Sequence, residues 1–294
     1  TLSTITEDQT TNTGNTVAEI IASGGGDRIT DPDAAALEGI AVTGATVTTG
    51  NGTWQYSLDN GTTWASVGAV ADTSALLLRA ADRVRFLPDA LNGAEGNLAF
   101  RAWDQSTGSA GSTVDVSTTG GSTAFSTATE TASITVTAVN DAPTITDGAT
   151  VGMGGMYPED GPTAGFGVFG VINALGWKDV DTGALKGMVV TGSTGNGTWQ
   201  YSTDLSIWTN VGSVSATHGL LLSDTSWLRY LGDNANGETP TIQVRAWDTT
   251  SGGASTYGTP SYADPGVGGG STAFSTQSGN AYTVISSVHD APVL

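Results

Sequence analysis

Gly50-Asn51-Gly52-Thr53-Trp54-Gln55-Tyr56-Ser57 recurs, residue for residue, as Gly195-Asn196-Gly197-Thr198-Trp199-Gln200-Tyr201-Ser202. The chain around it repeats in the same order. Arg101-Ala102-Trp103-Asp104 returns as Arg245-Ala246-Trp247-Asp248, and Gly121-Ser122-Thr123-Ala124-Phe125-Ser126 returns from Gly270 onward. Val139-Asn140-Asp141-Ala142-Pro143 returns as Val288-His289-Asp290-Ala291-Pro292. Matched order at a near-constant spacing of roughly 145 residues marks two homologous copies, which places domains at 1–140 and 141–294.

The repeated stretch also opens a hairpin. Trp54-Gln55-Tyr56-Ser57 is followed by Asp59-Asn60-Gly61 and then Thr62-Thr63-Trp64, and Asn-Gly accepts the positive φ angles of a tight turn. Copy two has Thr203-Asp204-Leu205-Ser206 there, so its turn must be built differently. Elsewhere Ile134, Val136 and Ala138 alternate with Thr135 and Thr137, and Leu98, Phe100 and Ala102 alternate with Ala99, Arg101 and Trp103. Period-2 patterning of this kind marks strands with one face on a core. Such runs predict about seven to nine short strands per copy and an all-β chain of two tandem Ig-like sandwiches. Helical turns are expected only near 34–37 and 166–175, neither with the length or spacing of a structural helix.

Composition narrows the function classes. Nine basic residues face 28 acidic ones among 294, a formal charge of −19. Clustered Lys and Arg are what a phosphate backbone needs, so nucleic acid is excluded as a partner. There is no cysteine, hence no disulfide or thiolate metal site. No apolar run reaches the length of a membrane span, and no charged-then-apolar leader opens the chain, so membrane insertion is not expected and any export signal is expected outside it. Catalysis has little support. His218 and His289 are the two histidines, neither repeated and neither near a nucleophile motif, so no catalytic residue is assigned.

Acidic residues recur at matched places: Glu7-Asp8 with Glu159-Asp160, Asp31 and Asp33 with Asp179 and Asp181, Asp89 with Asp233, Asp104 with Asp248, and Asp141 with Asp290. Taken singly, each is ordinary turn chemistry, because Asp caps its own backbone. In an Ig-like frame, the Asp-x-Asp loops and the loop after Arg-Ala-Trp-Asp fall at the end where the chain enters a domain. The Asn-Asp-Ala-Pro connector leads to that same end. Asp141, Asp179, Asp181 and Asp248 are therefore expected to converge at the junction, where packed carboxylates call for raised pKa values or a cation. Ca²⁺, with six to eight oxygen ligands in flexible loops, fits such a set better than Mg²⁺.

These motifs carry a resemblance. The Val-Asn-Asp-Ala-Pro linker, the Glu-Asp pair, Asp-x-Asp and Arg-Ala-Trp-Asp resemble the cadherin-like (VCBS-type) tandem repeats of very large bacterial surface proteins and adhesins. The resemblance spans both copies and implies a secreted or cell-surface location. It also implies calcium between successive domains, held by Asn140, Asp141, Asp179, Asp181 and Asp248, with Glu7 and Asp89 from below. Asp31, Asp33, Asp104, Glu159, Asp233 and Asp290 are the same positions in the other copy's sites. Ala138 stands where cadherin linkers carry an Asp, and the Asp-Arg-Glu motif is missing, which implies about one or two ions per junction. His289 replaces Asn140 in the second linker and is a poor calcium ligand.

Two functions follow. The first is a calcium-rigidified spacer or filament segment whose partners are neighbouring repeats, with head-to-tail association suggested because the final Ala-Pro-Val-Leu runs naturally into Thr1-Leu2. The second is a lectin-like module binding a surface glycan or receptor, suggested by Tyr157, Tyr257, Tyr262 and Trp177 in or beside copy two's divergent Gly-rich stretches. Trp227, like Trp177, has no partner in copy one and is read as a candidate for exposed contacts, whereas the remaining tryptophans recur in both copies and are read as packing. Trp103 shares a strand face with Arg101, so a guanidinium stack is expected there.

Overall fold

The computed structural model describes every residue except 27, 34, 35, 49, 252–257 and 292–294. The chain divides into two compact units, Thr1–Val139 and Asn140–Leu294. Unit 1 runs β1 (Ile5–Thr6), β2 (Asn15–Thr16), α1 (Val17–Ala22), β3 (Gly39–Val47), β4 (Gly52–Ser57), β5 (Ala65–Ser66), β6 (Ala75–Arg79), β7 (Arg83–Pro88), β8 (Ala94–Trp103), β9 (Thr113–Val114) and β10 (Glu130–Thr137). Unit 2 repeats that order as β11 (Thr150–Pro158), β12 (Phe166–Gly167), α2 (Val168–Ala174), β13 (Gly187–Ser193), β14 (Thr198–Ser202) and β15 (Thr209–Asn210). It continues through β16 (Gly219–Ser223), β17 (Trp227–Leu231), β18 (Thr241–Trp247), β19 (Ser261–Ala263) and β20 (Phe274–Ser286).

Each unit pairs a six-stranded sheet with a four-stranded one. The orders are β1-β10-β8-β3-β6-β9 with β2-β7-β4-β5, and β11-β20-β18-β13-β16-β19 with β12-β17-β14-β15. The two topologies are the same. The first strand of each unit lies parallel to the last, and the other pairings are antiparallel. The all-β, two-sandwich expectation therefore holds. Seven to nine strands per copy was an undercount, because two-residue strands such as β5 and β9 carry too little pattern to be read.

Each sandwich core is filled by the inward face of its strands. In unit 1 Ile40, Val42, Trp54, Leu76, Leu78, Phe86 and Leu98 share one buried cluster. In unit 2 the counterparts Met188, Val190, Trp199, Leu220, Leu222, Tyr230 and Ile242 do the same. Trp54 meets Phe86 edge-on at 5.3 Å, and Trp199 meets Tyr230 at 5.1 Å. A bulge after Val42 recurs after Val190, shifting the register against the neighbouring strand at the same place in both copies.

Several local expectations need correction. Ala138 lies beyond the end of β10 and is exposed. The hairpin turn at Asn60 and Gly61 forms with φ of 58° and 88°, but the returning strand is Ala65–Ser66 rather than residues 62–64. Asp59 holds Thr63 N–H and hydroxyl, which delays pairing. In copy two Leu205 adopts φ 63°, and Asp204 Oδ1 accepts Ser206 and Ile207 N–H to hold it there. The guanidinium stacks are Arg85 over Trp64 and Arg229 over Trp208, both at 4.2 Å. Arg101 instead reaches Asp72 and the Thr127 carbonyl, while Trp103 turns into a second cluster. Helix α2 falls inside the span read as a helical turn. Helix α1 was missed, although Thr16 and Glu19 form a reciprocal capping box ahead of Ile20 and Ile21. The 34–37 turn falls partly outside the described residues.

Candidate metal centre at the entry end of unit 2

The residues that open unit 2 are tied to two of its loops. Asn140 Nδ2 donates to Asp248 Oδ2 at 2.9 Å and to the Thr272 carbonyl at 3.2 Å. Asp141 N–H donates to Asp181 Oδ2 at 2.8 Å. Asp181 N–H donates in turn to Asp179 Oδ1 at 2.9 Å, so the Asp-x-Asp pair is a turn that folds one carboxylate under the next. Asp248 directly follows β18, is 1% exposed, and accepts the Thr250 N–H and hydroxyl at 2.8 and 2.6 Å. One end of one unit thus gathers Asn140, Asp141, Asp179, Asp181 and Asp248.

Asp179 carries the electrostatic cost of this cluster. Asp179 Oδ2 is buried and has no hydrogen-bond partner among the described residues. Burial pushes the Asp179 carboxyl up to about 6; the charges of Asp181, Asp248 and Asp141 push the same way, against the pull of the Asp181 amide. Described neighbours donate amides and hydroxyls, not a Lys or Arg salt bridge; the ion pairs found among the described residues are Arg79–Asp82 and Arg101–Asp72, both in unit 1. An all-oxygen set with a buried, unpartnered carboxylate oxygen fits a hard divalent cation.

The corresponding place in unit 1 uses the same turns. Asp33 N–H donates to Asp31 Oδ1 at 2.8 Å and Ser106 N–H to Asp104 Oδ1 at 2.7 Å. Asp31, Asp33, Glu38 and Asp104 line a cleft of about 280 Å³. Asp31 and Asp33 are exposed there, unlike the half-buried Asp179 and Asp181.

The acids at the exit end behave differently. Glu7 and Glu159 are both fully buried, and each accepts the N–H of the linker's valine, Val139 and Val288, at 2.8 Å. Glu159 Oε2 is buried with no hydrogen-bond partner among the described residues. Asp89 and Asp233 cap their own turns, accepting Leu91 N–H at 3.0 Å and Ala235 N–H at 3.1 Å. Asn234 N–H reaches the Glu159 carbonyl at 3.3 Å, so the Asp233 turn lies against that glutamate. Asp290 is exposed. The buried state of Glu7 and Glu159 was not legible from the Glu-Asp pair, since nothing in two adjacent acids says which one turns inward.

Among the aromatic candidates, Trp54, Trp103, Trp199 and Trp247 are buried. Trp177 is half-buried against the unit 2 core, with the Lys186 ammonium 5.0 Å from its ring. Tyr262 is 41% exposed and stacks on His218 at 4.7 Å, with its hydroxyl on the Val211 carbonyl. Tyr257 lies outside the described residues. Among the described residues no helix is long and apolar enough to cross a membrane.

No protein-family model matches the sequence, and no curated protein matches it. Solved structures similar to the chain include the CupB6 tip adhesin from Pseudomonas aeruginosa, at 7% identity and TM-score 0.26, covering 87% of this chain and 86% of that one. Another is zebrafish RET cadherin-like domains 1 to 4, at 10% identity and TM-score 0.23, covering 83% of this chain and 42% of that one.

Proposed function

We propose that the chain is a non-catalytic repeat segment of an extracellular bacterial adhesin or surface filament. Calcium at the entry end of each module fixes the linker to the module it enters. The observation that carries this reading is the Asp179 cluster: four carboxylates and one amide from the linker and two loops, with a buried Asp179 oxygen that has no hydrogen-bond partner among the described residues. A divalent ion there would supply positive charge, tie Asn140 and Asp141 to both loops, and stiffen the linker in an array of neighbouring copies. Affinity is expected at about 10⁻⁴–10⁻³ M, the range of extracellular modules. Calorimetry in EDTA and in millimolar Ca²⁺ tests it. A calcium-dependent rise in melting temperature that disappears in Asp181→Asn supports the reading, and an identical melting curve in both buffers removes calcium from it.

One observation favours a second reading, a glycan-binding face. Tyr262 offers an exposed ring braced by His218, the geometry on which a sugar face can stack. Glycan-array binding that is lost in Tyr262→Ala would support it, and an array without signal would end it.

A further inference from the structure

Asn-Gly is the dipeptide at which a chain most readily attacks its own side-chain amide, because glycine places no Cβ beside its nitrogen. The Gly nitrogen bonds to the Asn Cγ and gives up its proton, the bond from Cγ to the carboxamide nitrogen breaks, and ammonia leaves. A five-membered succinimide remains, and water opens it to aspartate or to isoaspartate, in which the main chain runs through the side chain. No oxidant, metal or partner enters the balance. The chain carries this dipeptide twice inside one repeated octapeptide, at Asn51-Gly52 and Asn196-Gly197, so local sequence gives both the same reactivity.

Their surroundings differ. In unit 2 the Gly197 N–H donates to the Tyr230 hydroxyl at 2.5 Å and to Glu238 Oε1 at 3.3 Å, and the Tyr230 hydroxyl donates in turn to that carboxylate oxygen. Glu238 Oε2 accepts the Asn196 N–H at 2.8 Å, so one carboxylate holds both amides of the dipeptide. Unit 1 has neither acceptor at these places. Phe86 stands where Tyr230 stands, each opposite the shared tryptophan, and its ring would lie 2.6 Å from a Cβ at Gly52. Ala94 stands where Glu238 stands, opposite Val136 as Glu238 is opposite Ile285. The Gly52 N–H turns instead to the Gly50 carbonyl at 3.1 Å, the bent bond of a three-residue turn. The Asn51 carboxamide is lightly held, with Nδ2 on the Gly93 carbonyl at 3.3 Å. Solvent exposure favours the opposite order, since Asn196 is exposed and Asn51 half-buried.

We infer that Asn51 is a site of spontaneous ring closure and deamidation, and that Tyr230 and Glu238 protect Asn196 from the same reaction. The Gly197 amide must leave both acceptors before its nitrogen can reach the Asn196 Cγ, whereas the Gly52 amide has a local bond to break. The product places a new carboxylate in the turn between β3 and β4 of unit 1. Its isoaspartyl form also lengthens the main chain by one carbon just ahead of Gly52, where β4 begins. This modification lies outside the adhesin reading and does not involve calcium.

The test holds the full chain in EDTA at mildly alkaline pH and follows both octapeptides by peptide mapping, with isoaspartyl methyltransferase labelling to count isoaspartate. A hydrogen bond that must break before attack slows it about tenfold, so Asn51 is expected to convert about tenfold faster than Asn196. In urea the two are expected to convert at one rate, because their immediate neighbours are identical. Tyr230→Phe with Glu238→Ala installs the residues that unit 1 packs at those places, and is expected to raise Asn196 to the Asn51 rate while Asn51 stays unchanged. Should Asn196 instead reach the urea rate, unit 2 has unfolded, and Tyr230→Phe alone, expected to give an intermediate rate, decides. Equal rates in the folded chain, a faster Asn196, or an Asn196 rate unmoved by these substitutions would each overturn the proposal.

Discussion

Asp179 splits the work of a turn residue between its two oxygens. Its Oδ1 does ordinary work, accepting the amide two residues on, while Oδ2 is buried beside three other carboxylates. Because its pKa is raised from 3.8 to about 6, the folded metal-free chain binds this proton more tightly than the unfolded one. The contribution to stability is full below about pH 4 and is lost as pH rises through about 6. Asp179→Asn should therefore raise the melting temperature of the EDTA-treated chain at pH 7 and flatten its pH dependence between those limits. With calcium bound the preference reverses, because the cation holds the ionised form. Calcium affinity, measured by titration calorimetry, should weaken as pH falls below about 6, and Asp179→Asn should weaken it at pH 7.

At the scale of elements, the same device recurs with different parts. The turn from β6 to β7 closes on a buried Asp82 gripped by Arg79 in unit 1; in unit 2 the matching Ser223 and Ser226 hydroxyls meet at 3.4 Å. Phe86 is replaced by Tyr230, whose hydroxyl finds Glu238, and burial with that neighbour holds the Tyr230 hydroxyl above its usual range. Helix α1 depends on its capping box, so Thr16→Ala should cost about 1 kcal/mol in denaturant unfolding of unit 1. Gly39 and Gly187 open β3 and β13 flat against Trp103 and Trp247. A Cβ at Gly187 would lie 2.6 Å from the Trp247 ring and 3.0 Å from the Leu222 carbonyl. Gly187→Ala should destabilise by about 1–3 kcal/mol through overpacking, seen as a lower urea midpoint and altered near-ultraviolet dichroism of Trp247.

For the whole molecule, net charge of −19 and the entry-end acids act together. A ligand that binds only the folded chain stabilises it by mass action, about 2.7 kcal/mol at a hundred times its Kd. The melting temperature should thus climb with calcium concentration beyond any plateau set by general screening. Magnesium at equal ionic strength should do much less, because it resists losing its water and demands stricter octahedral geometry. An equal response to both ions would reduce the effect to screening of like charge.

The duplication and the all-β class were legible in the sequence because they are properties of order and period. Repeats need no coordinates, and alternation reports which side of a strand faces a core. The sequence also contained the capping box of α1, four residues whose spacing alone predicts a helix start. Tertiary structure alone decided the rest. It chose which acid of each Glu-Asp pair is buried and which arginine stacks on which indole. It also buried one carboxylate oxygen of Asp179 while Asp31, in the same motif, stays exposed. The reason is physical. A local pattern fixes where a side chain points along its own strand, whereas burial, charge and the filling of a cleft depend on residues brought together from far apart in the chain.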